Sequence, residues 1–351
     1  MNSSIFYQKS LTKMIATALI GVSLSLAATS SVMAAGMKPG DGDAQKYLRP
    51  MTVPQPANNM MTPERIELGK FLFFDPRLSG SNFISCATCH NPALGWSDAQ
   101  PTAVGHGMDI LGRSSPTILN TAYQRFQLWD GRAKTLEEQA LGPIVAGGEM
   151  AQDMDSLIEE LSAIPGYIKL FEAAYPGDGI QGVTIAKALA AFERTIVSTD
   201  APFDRWLKGV DGAMSKSAIR GFGVFKGKAN CTACHDGFNF TDDGFHNVGL
   251  NDMKDMGRYK IKPINVLKGA FKTPTLRDVD LTAPYMHNGA YKTLQEVVEH
   301  YNGGGFENAG TLSPNMKPLK LSKKEKKDLV AFLKSLTGDP MEITIPQLPV
   351  K

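Results

Sequence analysis

One five-residue pattern occurs twice in this chain, as Cys86-Ala87-Thr88-Cys89-His90 and as Cys231-Thr232-Ala233-Cys234-His235. Cys-x-x-Cys-His is the attachment signature of c-type haem. The two thiols become thioethers to the porphyrin vinyl groups, and the next imidazole is placed to bind iron on the proximal side. A structural zinc site could also use two Cys-x-x-Cys pairs, but its knuckles sit roughly 15–20 residues apart. These copies begin 145 positions apart. A thiol redox pair needs no following histidine, and both copies have one. The motifs use all four cysteines, so none remains for a disulfide. Two covalent haem c groups are the expected cofactors.

A further histidine stands out by its neighbours. His106 lies in Val104-Gly105-His106-Gly107-Met108, inside a Gly- and Pro-rich stretch over 91–134. Flanking glycines give the backbone little to hold it rigid, which suits a loop that swings a metal ligand in or out. The competing reading is an exposed loop histidine of no consequence.

These residues must be positioned by a chain of 351 residues, 42% hydrophobic, with a formal net charge of +2. Lys9 and Lys13, the apolar run from Met14 to Ala28, and Val32-Met33-Ala34 read as an export signal over residues 1–35. The apolar run is short for a spanning helix, which needs about 20 residues. Export to the periplasm agrees with haem attachment, and no membrane span is expected after processing. Losing this segment removes two lysines and no acids, bringing the net charge to zero. That argues against nucleic acid as a partner. The rest is long enough for about two domains.

Residues 36–61 read as an extended lead-in. Thr62-Pro63-Glu64 predicts a helix start, with Pro at the first helical position, running to Asp75-Pro76. Leu157, Ile158 and Leu161 mark a second helix stopped by Pro165-Gly166. Ile185, Ala188, Leu189, Phe192 and Ile196 mark a third, capped by Thr184. Phe203 to Gly212 reads as a connection between halves. Ile219, Phe222 and Phe225 lie on a helix entering the second motif. Ser322 and Glu325 form a capping box for the last helix, which carries Leu329, Phe332, Leu333 and Leu336. The tail from Asp339 reads as a strap. Few strands are visible, so the fold class is mostly α.

The halves repeat each other beyond the haem motifs. Pro116-Thr117-Ile118 recurs 158 positions later as Pro274-Thr275-Leu276. The same offset aligns the segment 131–138 with 289–296, and both keep a Thr-Leu-x-Glu helix start. Internal duplication of one haem-binding unit is the simplest account. The copies differ where Trp129 faces His287, and Pro143 faces Tyr301, in the alignment. Unequal pockets imply two haems with different tasks.

The chain resembles the bacterial dihaem cytochrome c peroxidases, including the MauG-type enzymes, from about Leu68 to Gly338. The resemblance rests on the segments 68–79 (LGKFLFFDPRLS), 128–132 (LWDGR) and 283–289 (APYMHNG), and on Gly142-Pro143 leading to Glu149-Met150. It implies two cytochrome c-like domains, peroxidatic over 62–202 and electron-relaying over 203–338, with a tail over 339–351. It implies His90 and His235 as proximal ligands, Glu149 as distal acid, Gln139 as its polar neighbour and Trp129 as the aromatic between the haems. It implies His106 as a ligand that caps the active iron at rest and leaves on activation. Heterolysis of a peroxide needs a proton taken from one oxygen and given to the other, and one carboxylate can do both. Glu149 sits in a Gly147-Gly148-Glu149 turn that fits such an acid, although an exposed loop carboxylate would read the same. Trp129 would also suit plain core.

Two positions depart from the peroxidase pattern. Many of those enzymes use Met as second ligand of the relay haem, which raises its potential. Here Tyr301 occupies that place, as in MauG-type enzymes, with Met316 and Met286 as softer alternatives. His300 beside it reads as a surface residue. The family's interdomain calcium site has Asn where this chain has Ser114, with the carbonyls of Thr282 and Pro284 available. Calcium is a further expected ligand.

Three functions follow. The first is a periplasmic peroxidase, an oxidoreductase reducing hydrogen peroxide to water with electrons from a small donor such as cytochrome c. The second is a MauG-type oxidase that uses high-valent haem on a protein substrate, building a tryptophan-derived cofactor. The third is a non-catalytic electron carrier. Family members are often homodimers.

Overall fold

The structure is a computed structural model and describes residues 42–250, 254–307 and 310–350. The expected export signal, residues 1–35, lies outside the described residues. Eleven helices are present among the described residues. They are α1 Gly42–Gln45, α2 Pro63–Phe74, α3 Cys86–Cys89, α4 Leu136–Val145, α5 Met154–Ser162, α6 Pro165–Ala174, α7 Gly182–Glu193, α8 Pro202–Leu207, α9 Lys216–Lys226, α10 Leu294–Gly303 and α11 Lys323–Lys334. The only named sheet among them pairs β1 Phe245–His246 with β2 Phe271–Lys272, antiparallel, with Phe245 opposite Lys272. The fold is mostly helical, as the composition and periodicity predict. No helix among the described residues is long and apolar enough to cross a membrane.

Local signals set the elements. Thr62 accepts the Arg65 N–H at the start of α2, and Pro63 opens it. α2 ends at Asp75, whose carboxylate turns back to the Arg77 N–H at 2.9 Å. Two helix pairs then form the cores. α2 crosses α7 over Leu68, Leu72, Phe73, Phe192 and Trp96. α9 crosses α11 over a cluster of rings, with Phe222 stacked on Phe332 at 5.0 Å.

Both crossings depend on one glycine. A Cβ at Gly69 would sit 1.9 Å from the Ala188 carbonyl oxygen and 2.8 Å from the Phe192 Cβ. A Cβ at Gly221 would sit 1.9 Å from the Asp328 carbonyl oxygen and 2.8 Å from the Phe332 Cβ. Helix backbones this close leave no room for a methyl group. Gly221→Ala is therefore expected to destabilise the protein by about 3 kcal/mol or more. Gly223→Ala, on the same helix but facing open space, is expected to stabilise it by about 0.5–1 kcal/mol. Thermal unfolding of the two variants checks this; equal melting temperatures would refute the close crossing.

The repeat extends to backbone geometry. Asn120 and Asp278, 158 positions apart, are both left-handed, at φ 61° and 55°. Leu128 and Met286 follow at φ 69° and 75°. Gln127 pairs with Ala133 as Tyr285 pairs with Tyr291. Thr135 and Thr293 then cap α4 and α10. The reciprocal box is complete only at Thr293; in the first half Glu138 takes the Lys134 N–H instead, at 2.8 Å.

The copies also face each other. The Ser114 N–H donates to the His287 carbonyl and the Lys272 N–H donates to the Trp129 carbonyl, both at 2.8 Å. Position 114 corresponds to 272 and 129 to 287, so the two bonds are one contact made twice across an approximate twofold axis. The Trp129 indole and His287 imidazole meet edge to face at 6.4 Å.

Several expectations need correction. The lead-in is anchored: Tyr47 is fully buried, stacked on Phe240 at 5.2 Å with its hydroxyl on Asp236 at 2.7 Å. Asn59 is also fully buried, donating to Glu137 and to the Lys187 carbonyl. Pro165 stops nothing; α5 has ended at Ser162 and Pro165 opens α6. Thr184 is the third residue of α7, whose cap is Gln181, and Thr184 Oγ1 accepts the Gln181 N–H. Residues 203–212 begin inside α8, where Phe203 and Trp206 are core. The tail, by contrast, lies as the expected strap, with Met341 and Ile343 against the first core and the Pro349 carbonyl accepting from Arg77 at 3.0 Å.

Candidate haem site

In α3, one helical turn carries Cys86 and Cys89 and closes on His90, whose N–H donates to the Cys86 carbonyl at 2.9 Å. The second motif is a tighter turn over Cys231–Ala233, with the His235 N–H on the Cys231 carbonyl at 2.8 Å. Each imidazole has Nδ1 against a backbone carbonyl, His90 at 3.3 Å from Trp96 and His235 at 2.8 Å from Phe240. A carbonyl only accepts, so Nδ1 carries the hydrogen and Nε2 keeps its lone pair for a metal. Burial lowers both imidazole pKa values and favours the neutral, ligating form. All four cysteines are free of disulfides. Burial pushes the Cys89 thiol up to about 11 and the Cys231 thiol up to about 12.

One cavity of about 760 Å³ is lined by both motifs, with both cysteine pairs and both histidines on its wall. That is a large small-molecule site, since such pockets span about 300–1,000 Å³. The donor set fits covalent haem: two thiols and one exposed imidazole lone pair, twice, around one shared space. It does not fit zinc. The one compact group of potential ligands among the described residues is Cys234, Asp242 and His246, and the four sulfurs form no cluster.

Most of the expected site residues line this cavity, and they are unequally distributed. Gln139 and Pro143 lie one turn apart on α4 and both line it, as does Glu149. Glu149 is held by its own N–H on the Ala146 carbonyl at 2.9 Å. Burial raises its pKa, against the opposing charge of Arg132. Its charge is felt at Cys89, so it belongs with the first motif. Tyr301, near the end of α10, faces Cys231 and Cys234 of the second. Met286 and Met316 line the cavity too. Glu307, which the 158-residue offset places opposite Glu149, is exposed and is not on the cavity wall. Trp129, Ser114, Thr282 and Pro284 also line the cavity. The Trp129 Nε1–H donates to the Ser114 carbonyl at 2.9 Å.

His106 is the exception. It sits in a short turn, His106–Met108, and is not on the cavity wall. Its N–H donates to the Glu149 carbonyl at 2.8 Å, while its Nδ1 is buried without a partner. It lies beside the Glu149 backbone rather than on the cavity wall.

Three further buried residues carry almost no local signal in the sequence. His300, expected at the surface, is buried with both ring nitrogens engaged. Lys272 is buried on the cavity wall with Nζ on Gln124 at 2.9 Å, and burial lowers its pKa to about 8. Arg113 also lines the cavity and joins the halves, donating to Asp130 at 2.7 Å and to Asp255 at 2.6 Å. Only the repeat offers a signal, since it places Lys272 opposite Ser114.

The Arg113 link carries a pH prediction. Burial raises the Asp255 pKa, but Arg113, the Gly257 N–H and Lys260 outweigh it and hold the carboxyl well below the usual range. A carboxylate depressed in the folded state adds stability above its unfolded pKa and loses it as pH falls through the folded one. Thermal stability is expected to fall as the pH drops below about 4, and Asp255→Asn should flatten that fall. An unchanged acid slope in the variant would show that Asp255 contributes nothing to it.

The model of the di-haem cytochrome c peroxidase family matches residues 63–212, and that of cytochrome c matches residues 218–337. The chain is 50% identical to the methylamine utilization protein MauG of Methylorubrum extorquens, over 87% of each chain. The chain belongs to the dihaem cytochrome c peroxidase and MauG family. It is also 38% identical to the cytochrome-c peroxidase IdrP1 of Denitromonas iodatirespirans, over 93% of this chain and 96% of that one. A solved MauG-like protein associated with microbial copper homeostasis has a TM-score of 0.77 at 30% identity, covering 83% of this chain and 94% of that one. Membership of this family of dihaem enzymes makes the chain a haem-containing oxidoreductase with two haem c groups.

Proposed function

We propose that this is an exported, periplasmic enzyme that consumes hydrogen peroxide at the first-half haem and draws the electrons through the second half from another protein. The observation that carries the reading is the single cavity joining both motifs, with Glu149 and Pro143 beside the first and Tyr301 beside the second. When bound, the haems supply redox-active iron that exchanges electrons with peroxide and with each other. Cys86, Cys89, Cys231 and Cys234 would tether them, and the Nε2 atoms of His90 and His235 would bind their irons. The Glu149 carboxylate takes the proton from the inner peroxide oxygen and returns it to the outer one. Gln139 orients peroxide beside it. Pro143 leaves room there, whereas Tyr301 fills the matching position and would serve as second ligand in the relay half. Trp129 stands between the halves as electron bridge. His106 would serve as a ligand at the first haem only with its loop moved off the Glu149 carbonyl. Calcium, when bound, would be held by Ser114 with the Thr282 and Pro284 carbonyls.

Two electron sources fit this site. A small cytochrome c would make the enzyme a cytochrome-c peroxidase. A tryptophan-bearing protein substrate would make it a MauG-type oxidase. Tyr301 and the higher identity to the MauG relative favour the second. Peroxide turnover with reduced cytochrome c, beside peroxide-dependent oxidation of a candidate protein substrate followed by mass spectrometry, separates them. Slow cytochrome oxidation with modification of the protein substrate is expected. Rapid, sustained cytochrome oxidation without it would favour the peroxidase. Failure of both arms, with no reaction with peroxide at either haem, would leave only an electron carrier.

A further inference from the structure

His300 is buried on α10, only 9% exposed, and bridges two separate segments. Its Nε2 lies 2.9 Å from the Val248 carbonyl oxygen and its Nδ1 lies 2.9 Å from the Tyr291 hydroxyl. A carbonyl cannot donate, so Nε2 carries the hydrogen and the Tyr291 hydroxyl donates to Nδ1. The Val248 segment is itself fixed. The Asn247 side chain reaches the Thr311 hydroxyl at 2.9 Å, and the Phe306 N–H donates to the Gly249 carbonyl at 2.8 Å. Val248 and Tyr301 line the same cavity.

The first half lacks both side chains of this bridge and the tyrosine beside it. The positions 158 residues earlier are Ala133, Gly142 and Pro143 in place of Tyr291, His300 and Tyr301. A Cβ at Gly142 would meet open space. The copies therefore differ by a three-residue assembly, closed in one and deleted in the other, rather than by the tyrosine alone.

We propose that His300 is a positioning residue, pinning the end of α10 to the Val248 segment so that the Tyr301 phenol is held against the second-half haem. This rests on Tyr301 being its ligand, as proposed above. The bridge closes that face, and the small residues in the first half keep the other face accessible to peroxide.

Electron paramagnetic resonance and the reduction potential of the second haem test it, in full-length holoprotein carrying His300→Ala, His300→Gln, Tyr291→Phe or Tyr301→Phe. His300→Ala is expected to lower the ratio of ligated to unligated second haem about 10-fold, reducing the low-spin signal and raising the potential. His300→Gln, whose amide can still donate to the Val248 carbonyl, should restore most of the signal. Tyr301→Phe should abolish it. A wild-type signal in His300→Ala, with loss in Tyr301→Phe, overturns the positioning role and leaves the ligand assignment standing. A wild-type signal in Tyr301→Phe overturns the ligand assignment itself. If His300→Ala fails to fold, Tyr291→Phe decides, because it deletes one oxygen from the bridge; an unchanged signal and potential there overturn the proposal.

Discussion

Glu149→Gln is expected to lower peroxide turnover by about 10²–10⁴-fold while leaving both haems attached. The amide keeps the shape of the carboxyl and removes its ability to carry a proton. Its surroundings should survive the change, because they are backbone contacts: the Glu149 N–H on Ala146, and the Glu149 carbonyl accepting from His106. Burial raises the carboxyl pKa, so the group is held where gaining and losing a proton are more evenly balanced than on an ordinary surface acid. Gln139→Leu, by contrast, should weaken orientation without removing the proton carrier, and its loss should be the smaller. Initial rates with saturating reductant and limiting peroxide read both effects. Wild-type turnover in Glu149→Gln would remove the acid–base role and return Glu149 to the status of a half-buried loop carboxylate.

The second large effect concerns stability. Arg277 is 1% exposed and donates hydrogen bonds to three residues, Asp204 and Phe238 of the second half and Tyr47 of the lead-in. Nη1 binds both Asp204 oxygens, at 2.7 and 2.9 Å, Nε donates to the Phe238 carbonyl at 2.9 Å and Nη2 to the Tyr47 carbonyl at 3.1 Å. Its guanidinium also lies 5.2 Å from the Phe240 ring. Arg277→Ala leaves a buried carboxylate and two carbonyls without this partner, and is expected to cost about 3–5 kcal/mol. The Arg277→Met, Asp204→Leu double variant removes the stranded charge and should regain part of that loss. It should not regain all, since the carbonyls stay unpaired and Asp204 also accepts the Ala201 N–H at α8. Denaturant unfolding of the holoprotein gives the numbers. A single variant as stable as wild type would mean that water or a neighbour replaces the guanidinium without cost.

How much of this was readable beforehand depended on whether the signal was local. The Cys-x-x-Cys-His turns, the Thr62 and Ser322 caps and the α11 periodicity are written in adjacent residues, and each stands where the sequence places it. The repeat was visible because Pro-Thr and Thr-Leu-x-Glu kept their spacing, and the structure extends it to paired left-handed residues such as Asn120 and Asp278. What stayed hidden depended on distant partners. His300 looks like a surface helix residue until Val248 and Tyr291 are brought to it from 52 and 9 positions away. Tyr47 looks like part of a loose leader until Phe240 and Asp236 receive it. Helix α6 was missed because Pro165 stops one helix and starts another with equal ease. His106 stands in a short turn between glycines, and nothing local in the sequence says which way its ring turns.

The doubled Ser114–His287 and Lys272–Trp129 contact has a consequence for directionality. Two identical subunits meeting in this way would be bound by their symmetry to place each axial residue against a duplicate of itself. Covalent fusion lifts that obligation, and here indole confronts imidazole where a true dimer would have matched rings. The seam therefore presents a different ring to each half. Gene fusion thus supplies what no homodimer can build at its own axis: a junction with a built-in polarity.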